Sequence, residues 1–395
     1  MKIAIITTGF YESTLPLFKK IQKHHEVHLY CIFKNNSLNP PSFDLSKKYN
    51  GELGELSNKT IETILPDEVK KYIDENINYV KIYIYAKSYK PFIKWFIKKI
   101  QDYDYNILHF VGLNPYLFYL LPYLKNKKLF FSLHEVKVSR ALTNNKSLSV
   151  IFKKMVFKVL ETIIYNRKNT YFITHSKNEY NKLFKFINSK CQNITMIKFG
   201  LFDIYLEYFK NNCSLSLPDT QYFLYVGLIK KYKGIDLILN VANKLENTNI
   251  KFVIAGKDSD GIIKSLKHIP KNVVIFKRYL TDCEVTKLIA NSYAVLMPYK
   301  NISQSGIPVV ALLFNKPIIA SNLSGLNEYL KDNWNSIFLE EYSVENLIEK
   351  IHIMRKPEIY ERLLNNIKSD PFNEDLSWES IADKFINFYN DCLEN

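Results

Sequence analysis

The sequence lacks the signatures of several large functional classes. It has five cysteines and none of the short cysteine spacings that mark metal or redox sites. They are Cys31, Cys191, Cys213, Cys283 and Cys392. This pattern predicts a reducing compartment and no zinc site. The sequence contains no Walker loop, no Gly-x-Gly-x-x-Gly segment and no recognisable Ser-His-Asp arrangement. We therefore predict none of the activities that depend on those motifs.

Long hydrophobic runs are also absent. The longest apolar stretch, Val111 to Leu124, contains an asparagine and two prolines and is too short to span a bilayer. The chain begins Met1-Lys2-Ile3-Ala4-Ile5-Ile6, which could start a signal peptide, but no small-residue cleavage site follows. We therefore predict a first β-strand at this point and a cytoplasmic protein.

Arginine is rare and lysine is abundant, and the resulting charge is unevenly distributed. The formal net charge is +15, yet residues 1–200 hold 32 basic and 15 acidic residues, and the remainder holds 22 and 24. A positive half predicts an anionic surface or ligand beside it. Compositional drift explains the preference for lysine but not the uneven distribution. No nucleic-acid-binding motif accompanies the excess, so no nucleic-acid partner is predicted.

The length and the order of apolar segments predict an α/β protein with two domains. A chain of 395 residues can form two cores. Strands alternate with helices up to residue 205, and the alternation restarts after a polar segment, Asn211 to Thr220. We predict a Rossmann-like domain at 1–205, a second at 221–376, and a final helix at 377–395.

Each of three predicted buried strands in the first half has a histidine near its carboxyl end. The strand Ile107 to Val111 contains His109 and stops at Gly112, the next stops at His134, and a third stops at His175. Ligands of open α/β sheets gather at the carboxyl ends of strands, so His134 is a candidate for the active site. The alternative is a hydrogen-bonded structural histidine.

A lysine-rich loop opens the second half. The predicted strand Phe223 to Val226 leads into the loop Gly227 to Gly234, which contains Lys230 and Lys233, and a helix follows. Glycines allow a ligand to approach the backbone, and lysines can neutralise a diphosphate. The alternative is a solvated basic turn.

A second loop of the same half joins a buried strand, Ala294 to Met297, to a helix that begins near Ile307. Its small polar residues are Ser303, Gln304, Ser305 and Gly306. The start of a helix offers free backbone N–H groups, which bind phosphate or pyrophosphate. The alternative is an ordinary strand-loop-helix unit.

These segments together resemble the donor-sugar site of retaining glycosyltransferases of the GT-B fold, glycosyltransferase family four. The matching segments are Lys233-Gly234, Phe199 to Asp203, Pro298-Tyr299, Ser303 to Gly306, Asn315 to Ser321, and Ser324 to Glu328. The resemblance covers nearly the whole chain and is dense from Tyr222 to Glu328. It implies two Rossmann-like domains that face a cleft, with a C-terminal helix that crosses back to the first domain.

The sequence departs from the family pattern at three positions. Leu228 stands in the place of an arginine that grips the donor diphosphate, and Lys230 is its possible substitute. Ser303 and Ala311 stand in the places of two glutamates, as in a Ser-x-Ser-Gly subset of the family. Of two Asp-x-Asp strings, the one at residues 102–104 precedes a strand and the one at 258–260 lies in a loop where turn-forming aspartate is expected, so no metal role is predicted.

The resemblance implies transfer of a sugar, with retention, from a UDP- or GDP-sugar to a lipid-linked or saccharide acceptor in bacterial surface-polysaccharide synthesis. No cofactor or metal is implied. The implied catalytic residues are His134 and Lys233. The implied donor-binding residues are Gly9, Gly227, Lys230, Lys233, Ser303, Ser305, Gly306, Ile307 and Glu328. The alternatives are a non-catalytic GT-B protein that binds sugars or stabilises a partner, and a sugar-nucleotide epimerase.

Two segments interleave lysines with apolar residues. They are Lys87 to Ile100 and Ser147 to Lys168. A basic amphipathic helix can lie on an anionic leaflet, which would place the protein on the inner face of the cytoplasmic membrane. The alternative is a pair of core-facing helices with solvated lysines.

Overall fold

The computed structural model of this protein describes six stretches of the chain. They are residues 1–35, 51–136, 148–187, 193–266, 268–302 and 305–394. The chain divides into two compact units. Unit 1 comprises Met1–Phe199 and Trp378–Asn395, and unit 2 comprises Gly200–Ser377. The polar segment Asn211 to Thr220 lies within unit 2.

Unit 1 is built on an eight-stranded sheet. Its strands are β1 (Lys2–Thr7), β2 (Glu26–Lys34), β3 (Gly54–Glu55), β4 (Val80–Tyr85), β5 (Ile107–Val111), β6 (Leu129–Leu133), β7 (Thr170–Thr174) and β8 (Ile194–Met196). Their spatial order is β3-β4-β2-β1-β5-β6-β7-β8, and every pair is parallel except β3 with β4. Strands β1, β5, β6 and β7 are buried on both faces, which explains their largely continuous apolar sequences.

Helices cover both faces of this sheet. They are α1 (Tyr11–Ile21), α2 (Asn58–Ile64), α3 (Asp67–Ile73), α4 (Lys90–Tyr103), α5 (Leu117–Leu120), α6 (Leu148–Tyr165), α7 (Lys177–Phe184) and, from the C-terminal segment, α14 (Trp378–Glu394). Side chains of α4 to α7 pack with Leu108 and Phe110 in one core cluster. His109 points to the opposite face, where its Nδ1 lies 2.7 Å from the Tyr389 hydroxyl of α14. The terminal helix is therefore part of the core of unit 1.

Unit 2 is built on a fully parallel six-stranded sheet. Its strands are β9 (Tyr222–Val226), β10 (Lys251–Ala255), β11 (Val273–Phe276), β12 (Ala294–Met297), β13 (Ile318–Ser321) and β14 (Ser336–Leu339). Its helices are α8 (Ile204–Lys210), α9 (Ile235–Lys244), α10 (Asp282–Asn291), α11 (Ile307–Leu313), α12 (Val344–Met354) and α13 (Pro357–Ser369). The spatial order β11-β10-β9-β12-β13-β14 reverses direction between β9 and β12. Such a reversal leaves a crevice at the carboxyl ends of the two strands.

The elements confirm the predicted α/β class. The strands Ile107 to Val111 and Leu129 to Leu133 have the predicted bounds. Helix α10 carries the capping box that the Thr281-x-x-Glu284 pattern predicts, with both reciprocal hydrogen bonds formed. Within the described residues, no helix is long and apolar enough to span a bilayer.

Candidate functional site

The candidate site in unit 2 lies where the strand order reverses. The lysine loop, residues 227–234, leaves the carboxyl end of β9, and residues 298–306 leave the neighbouring β12. The backbone N–H of Lys300 donates to the carbonyl of Tyr232 at 2.7 Å, which joins the two loops. This crevice is where parallel sheets of this kind bind ligands.

The lysine loop is held by side chains from its own strand and from the next loop. The hydroxyl of Tyr225 donates to the carbonyl of Leu228 at 2.6 Å. The backbone N–H of Lys231 donates to the Asp260 carboxylate at 2.9 Å. The Asp258 carboxylate accepts from the backbone N–H groups of Ile262 and Lys264. Asp258 therefore stabilises its own turn, as the sequence predicted, whereas the contact of Asp260 with the lysine loop was not predicted.

Lys233 lies on the lysine loop, where its ammonium group faces the loop after β12. Its ammonium nitrogen lies 4.9 Å from the centre of the buried Tyr299 ring, which is a cation–π contact. A Cβ atom added at Gly227 would lie 3.6 Å from the same nitrogen, so the loop backbone passes beside the ammonium group. Burial, and secondarily the nearby positive charge of Lys230, lower the pKa of Lys233 to about 8. Two repelling cations on one loop form a site that an anion would stabilise.

Gly234 permits the close approach of the two loops. It lies in the left-handed region with φ of 72°, and a Cβ atom added there would lie 1.9 Å from the carbonyl oxygen of Pro298. Any other residue would push the lysine loop away from the segment after β12. This close approach is the physical reason for a glycine at position 234.

The second loop brings Ser305, Gly306 and Ile307 to the start of α11. Gly306 is exposed and has φ of −80°, and a Cβ atom added there would lie 3.3 Å from the Phe202 ring. Helix α11 has only seven residues, so we assign any phosphate contact to backbone N–H groups at its start rather than to a helix dipole. Ser303 lies outside the described residues.

The Tyr299 hydroxyl is buried beneath this loop. No group among the described residues makes a hydrogen bond of ordinary geometry with it. Burial raises the pKa of Tyr299, and the nearby Ser305 hydroxyl opposes part of that shift. Tyr299 is therefore a neutral ring that supports Lys233 from one side.

The three positions that depart from the family pattern have different surroundings. Leu228 is exposed on the lysine loop, whereas Ala311 is fully buried inside α11. Position 311 is a buried alanine, so it cannot supply the carboxylate that the family pattern places there. Glu328 is buried in the turn after β13, and it stays a predicted donor-site residue.

A cleft of about 780 Å³ adjoins these loops at the carboxyl ends of β12, β13 and β14. Tyr299 and Lys300 form the wall that it shares with the crevice, and Ser321, Asn327 and Tyr342 line it farther out. Its size is in the range of small-molecule sites. In the part of the chain that the structure describes, no group of three or more His, Cys, Asp or Glu side chains is arranged to hold a metal ion.

The corresponding edge of unit 1 carries Gly9, Phe10 and His134. The strand order of this sheet reverses between β1 and β5, and Gly9 and Phe10 follow β1. A Cβ atom at Gly9 would meet no atom within 4 Å, so the space above Gly9 is open. Phe10 adopts φ of 58°, which is strained for a bulky residue, and its ring stacks on His134 at 3.5 Å. Strain of this kind concentrates at functional sites, and no local sequence pattern indicates Phe10.

His134 is placed as a neutral, enclosed imidazole. Besides Phe10, it packs against His175 and Phe199, and burial lowers its pKa well below the ordinary range. Its Nε2 is buried and has no hydrogen-bond partner among the described residues. With Ser132, His134 lines a small cavity of about 10 Å³. His134 is therefore not available as a charged acid, although a catalytic role stays a prediction.

His109 is a core residue. Its Nε2 lies 2.8 Å from the Ser132 hydroxyl and its Nδ1 contacts Tyr389, so both ring nitrogens have partners. Burial lowers its pKa to about 3. His109 is therefore a hydrogen-bonded structural histidine, which is the alternative that the sequence left open.

Comparison with known proteins shows what unit 2 and most of the chain are similar to. Residues 212–370 match the family model Glycosyl transferases group 1. An uncharacterized glycosyltransferase, MJ1607, from Methanocaldococcus jannaschii is 23% identical over 354 residues, which span 81% of this chain and 87% of that protein. The poly(ribitol-phosphate) alpha-N-acetylglucosaminyltransferase of Staphylococcus aureus is 25% identical over 165 residues, 40% of this chain and 33% of that protein.

Solved structures establish the fold. A sucrose-phosphate synthase from Thermosynechococcus elongatus superposes with a TM-score of 0.66 at 15% identity and covers 100% of this chain and 99% of its own. Anabaena HepE in complex with UDP and glucose gives 0.65 at 10% identity over 99% of both chains. WaaG, a glycosyltransferase involved in lipopolysaccharide biosynthesis, gives 0.60 at 12% identity over 98% of this chain and 99% of its own. The fold is GT-B, as the sequence predicted.

Proposed function

We propose that this protein transfers a sugar from a nucleotide-sugar to an acceptor hydroxyl, with retention of the anomeric configuration. The observation that carries the proposal is the pair of lysines, Lys230 and Lys233, in the crevice between β9 and β12. The pair lies inside the segment that matches the group 1 glycosyl transferases. Burial and the neighbouring Lys230 lower the pKa of Lys233, and an anion bound beside the two ammonium groups would offset both effects.

The diphosphate would bind across the two loops. Lys233, supported by the Tyr299 ring, would contact the phosphate that carries the sugar, and Lys230 would contribute a second charge. Backbone N–H groups at Gly306 and Ile307 would bind from the other loop. Pro308 has no N–H, so it cannot contribute to this set.

In the reaction, the bond between the anomeric carbon and the phosphate oxygen breaks, and a bond to the acceptor oxygen forms. The nucleoside diphosphate leaves with the electron pair of the broken bond, and the proton of the acceptor hydroxyl passes to the departing phosphate oxygen or to solvent. A fixed cation at that oxygen lowers the barrier because it interacts most strongly when the charge has developed. Lys233 is the residue that we assign to this role.

Unit 1 would carry the acceptor, near Gly9 and His134. Because the lowered pKa keeps His134 neutral, we assign it hydrogen bonding rather than proton donation. A metal ion is not required by this scheme, since the lysines and backbone supply the stabilisation of the leaving group. Addition of EDTA should therefore leave the transfer rate unchanged, and a loss that Mg²⁺ or Mn²⁺ restores would contradict this part of the proposal.

The acceptor that we propose is lipid-linked or a saccharide of the bacterial cell surface. The S. aureus protein named for poly(ribitol-phosphate) and WaaG, named for lipopolysaccharide biosynthesis, support this class. HepE supports a UDP-sugar donor because its structure contains UDP and glucose. The sequence also leaves a GDP-sugar open.

A second candidate function rests on the departures from the family pattern. Exposed Leu228 and buried Ala311 remove an arginine and a carboxylate from the expected donor contacts. A non-catalytic GT-B protein that binds sugars or stabilises a partner would tolerate both changes. Such a protein would bind nucleotide-sugar weakly or not at all and would release no nucleotide.

The decisive experiment screens UDP, GDP and their sugars by thermal shift and then measures turnover. A ligand at one hundred times its Kd stabilises the folded state by about 2.7 kcal/mol. Mass spectrometry of the stabilising nucleotide-sugar would then detect released nucleotide. Binding without release, with and without saccharide acceptors, favours the non-catalytic function, and an isomeric sugar formed without acceptor indicates an epimerase. No stabilisation by any nucleotide would contradict the donor site.

A further inference from the structure

Two histidines of unit 1 share one small cavity at the carboxyl ends of β6 and β7. The cavity has a volume of about 10 Å³, and His134, His175 and Ser132 are among the residues that line it. The Nε2 atoms of His134 and His175 are both buried, and neither has a hydrogen-bond partner among the described residues. Buried polar atoms in native proteins are almost always paired, so these two nitrogens require a partner.

The size and the lining of this cavity fit a single water molecule. A cavity needs about 10 to 15 Å³ to hold one water, and the water needs two to four polar partners. The two Nε2 atoms supply two such partners, and the Ser132 hydroxyl, which also contacts His109, can supply a third. Most of the remaining wall is apolar and consists of Leu17, Val111, Phe199, Trp378 and Phe385.

The tautomer of His175 is fixed by its other ring nitrogen. Its Nδ1 lies 2.7 Å from the carbonyl oxygen of Ile197. A carbonyl can only accept, so Nδ1 carries the proton. Burial lowers the pKa of His175 to about 4, so near pH 7 the ring is neutral and its Nε2 is a bare acceptor. A water in the cavity therefore donates one of its two protons to His175.

The second proton of this water has His134 as its best acceptor. The hydroxyls of Ser13 and Thr14 also belong to the lining, and both donate to the carbonyl of Phe10. An imidazole nitrogen is a stronger acceptor than a hydroxyl oxygen, so the proton goes to Nε2 of His134. The proton of the neutral His134 ring is then on Nδ1, and Nδ1–H is the group that remains for a ligand.

We infer that His175 is a positioning residue, which holds His134 through one buried water in the tautomer that can donate from Nδ1. The ring planes are held by Phe199, which stacks on His175 at 3.9 Å and on His134 at 5.3 Å. An unconstrained histidine carries its proton mainly on Nε2, so the opposite tautomer requires such a cause. The use of Nδ1–H on a substrate rests on the proposed function, whereas the water and the tautomer do not.

The tautomer is measured by long-range ¹H–¹⁵N correlation spectra of the full chain labelled with ¹⁵N-histidine, near pH 7 and without substrate. The variant His134→Gln identifies the signals of His134 by their loss. We expect a protonated Nδ1 and a bare Nε2 in both His134 and His175. A protonated Nε2 in His134 of the unchanged protein would overturn the inference, and this result requires no variant of His175.

Two variants test whether His175 is the cause. His175→Phe keeps a flat ring against Phe199 but removes the acceptor from the cavity, so His134 should change to mainly Nε2–H. His175→Gln places an amide oxygen near the position of the lost Nε2 and should restore the Nδ1–H form. The matched control is His28→Phe, because His28 is also buried in unit 1 and pairs with the Tyr105 hydroxyl at 2.8 Å. It should leave His134 unchanged, and an unchanged tautomer in His175→Phe would contradict the positioning role.

The water is tested by a crystal structure of the unchanged protein at high resolution. One water should lie within about 3.2 Å of both Nε2 atoms. Val111→Ile adds a methyl group to the cavity wall, so it should displace this water and shift His134 towards Nε2–H. Density that shows no water between the two rings, or a tautomer that survives the loss of the water, would exclude the bridge.

Turnover separates this inference from the proposed function. If both hold, His175→Phe should lower kcat for sugar transfer by about 2- to 10-fold, the effect of one hydrogen bond, and His175→Gln should recover most of the loss. The spectra require neither donor nor acceptor, so the expected tautomers in a protein without transfer activity would contradict the proposed function alone. Equal losses of kcat in both variants, with the tautomer of His134 unchanged, would leave His175 as a packing residue only.

Discussion

The ammonium group of Lys233 lies 4.9 Å from the centre of the Tyr299 ring, and this contact joins the loop after β9 to the loop after β12. The two residues are 66 positions apart in the sequence, and the reversal of strand order brings them together. Lys233 is thereby fixed in the crevice, whereas Lys231 of the same loop is exposed. This difference allows the charge of one lysine to be tested against that of its near neighbour.

We expect Lys233→Ala to lower kcat/KM for the nucleotide-sugar by about 10- to 150-fold, since a charge-assisted hydrogen bond contributes roughly 1.5–3 kcal/mol. Lys231→Ala should lower it by less than about threefold, because the Asp260 carboxylate holds the backbone N–H of Lys231 and not its side chain. Steady-state kinetics of both variants under identical conditions is the measurement. Equal losses in the two variants would refute the assignment of Lys233.

The affinity for nucleoside diphosphate should decrease as pH rises above about 8. The pKa of Lys233 is lowered to about 8 by burial and by Lys230, so the free protein loses this charge above that pH. A diphosphate binds the protonated form, so the Kd should rise by up to tenfold per pH unit between pH 8 and the higher pKa of the complex. Calorimetric titration with UDP or GDP, whichever binds, from pH 7 to 9.5 would measure this dependence.

The control for the pH dependence is Lys233→Arg. Arginine remains protonated across this range, so the affinity of the variant, whatever its value at pH 7, should stay nearly constant up to pH 9.5. A flat profile for the unchanged protein, or the same decline in the variant, would show that another group titrates.

The sequence predicted more of the scaffold than of the site. Apolar strands such as Ile107 to Val111 are legible because a parallel sheet buries both faces and leaves one continuous apolar run. The loops that follow such strands can be located from the strand ends. For this reason, Lys233 could be predicted from the sequence as a ligand-binding residue. The backbone role of Asp260 and the stacking of Phe10 on His134 depend on contacts between segments distant in sequence. No local pattern records such contacts.

Gly306→Val should abolish donor binding and leave the protein folded. The added side chain would stand where phosphate meets the start of α11, and its Cβ would lie 3.3 Å from the Phe202 ring. Backbone strain contributes little, because φ is −80° and suits any residue. Calorimetry with the nucleotide measures the loss, and thermal melting checks the fold.

A second variant separates the two possible effects of Gly306→Val. In Gly306→Val/Phe202→Leu the aromatic ring is removed, so any instability from contact with Phe202 should be relieved. Binding should remain lost if the valine blocks phosphate directly. Recovery of the affinity in the double variant, or normal affinity in Gly306→Val alone, would exclude a phosphate site at Gly306.

Gly234→Ala should destabilise unit 2 by several kcal/mol, because two separate costs arise at one position. The left-handed φ of 72° costs roughly 1–2 kcal/mol for a residue with a Cβ atom. That atom would also lie 1.9 Å from the Pro298 carbonyl oxygen, so the lysine loop must move. Gly261→Ala is the matched control: φ is 70° there, but no atom lies within 4 Å of the added Cβ. Urea unfolding should therefore show a loss of about 1–2 kcal/mol for Gly261→Ala and a clearly larger loss for Gly234→Ala. Similar losses for both would mean that the close approach of the two loops contributes nothing to stability.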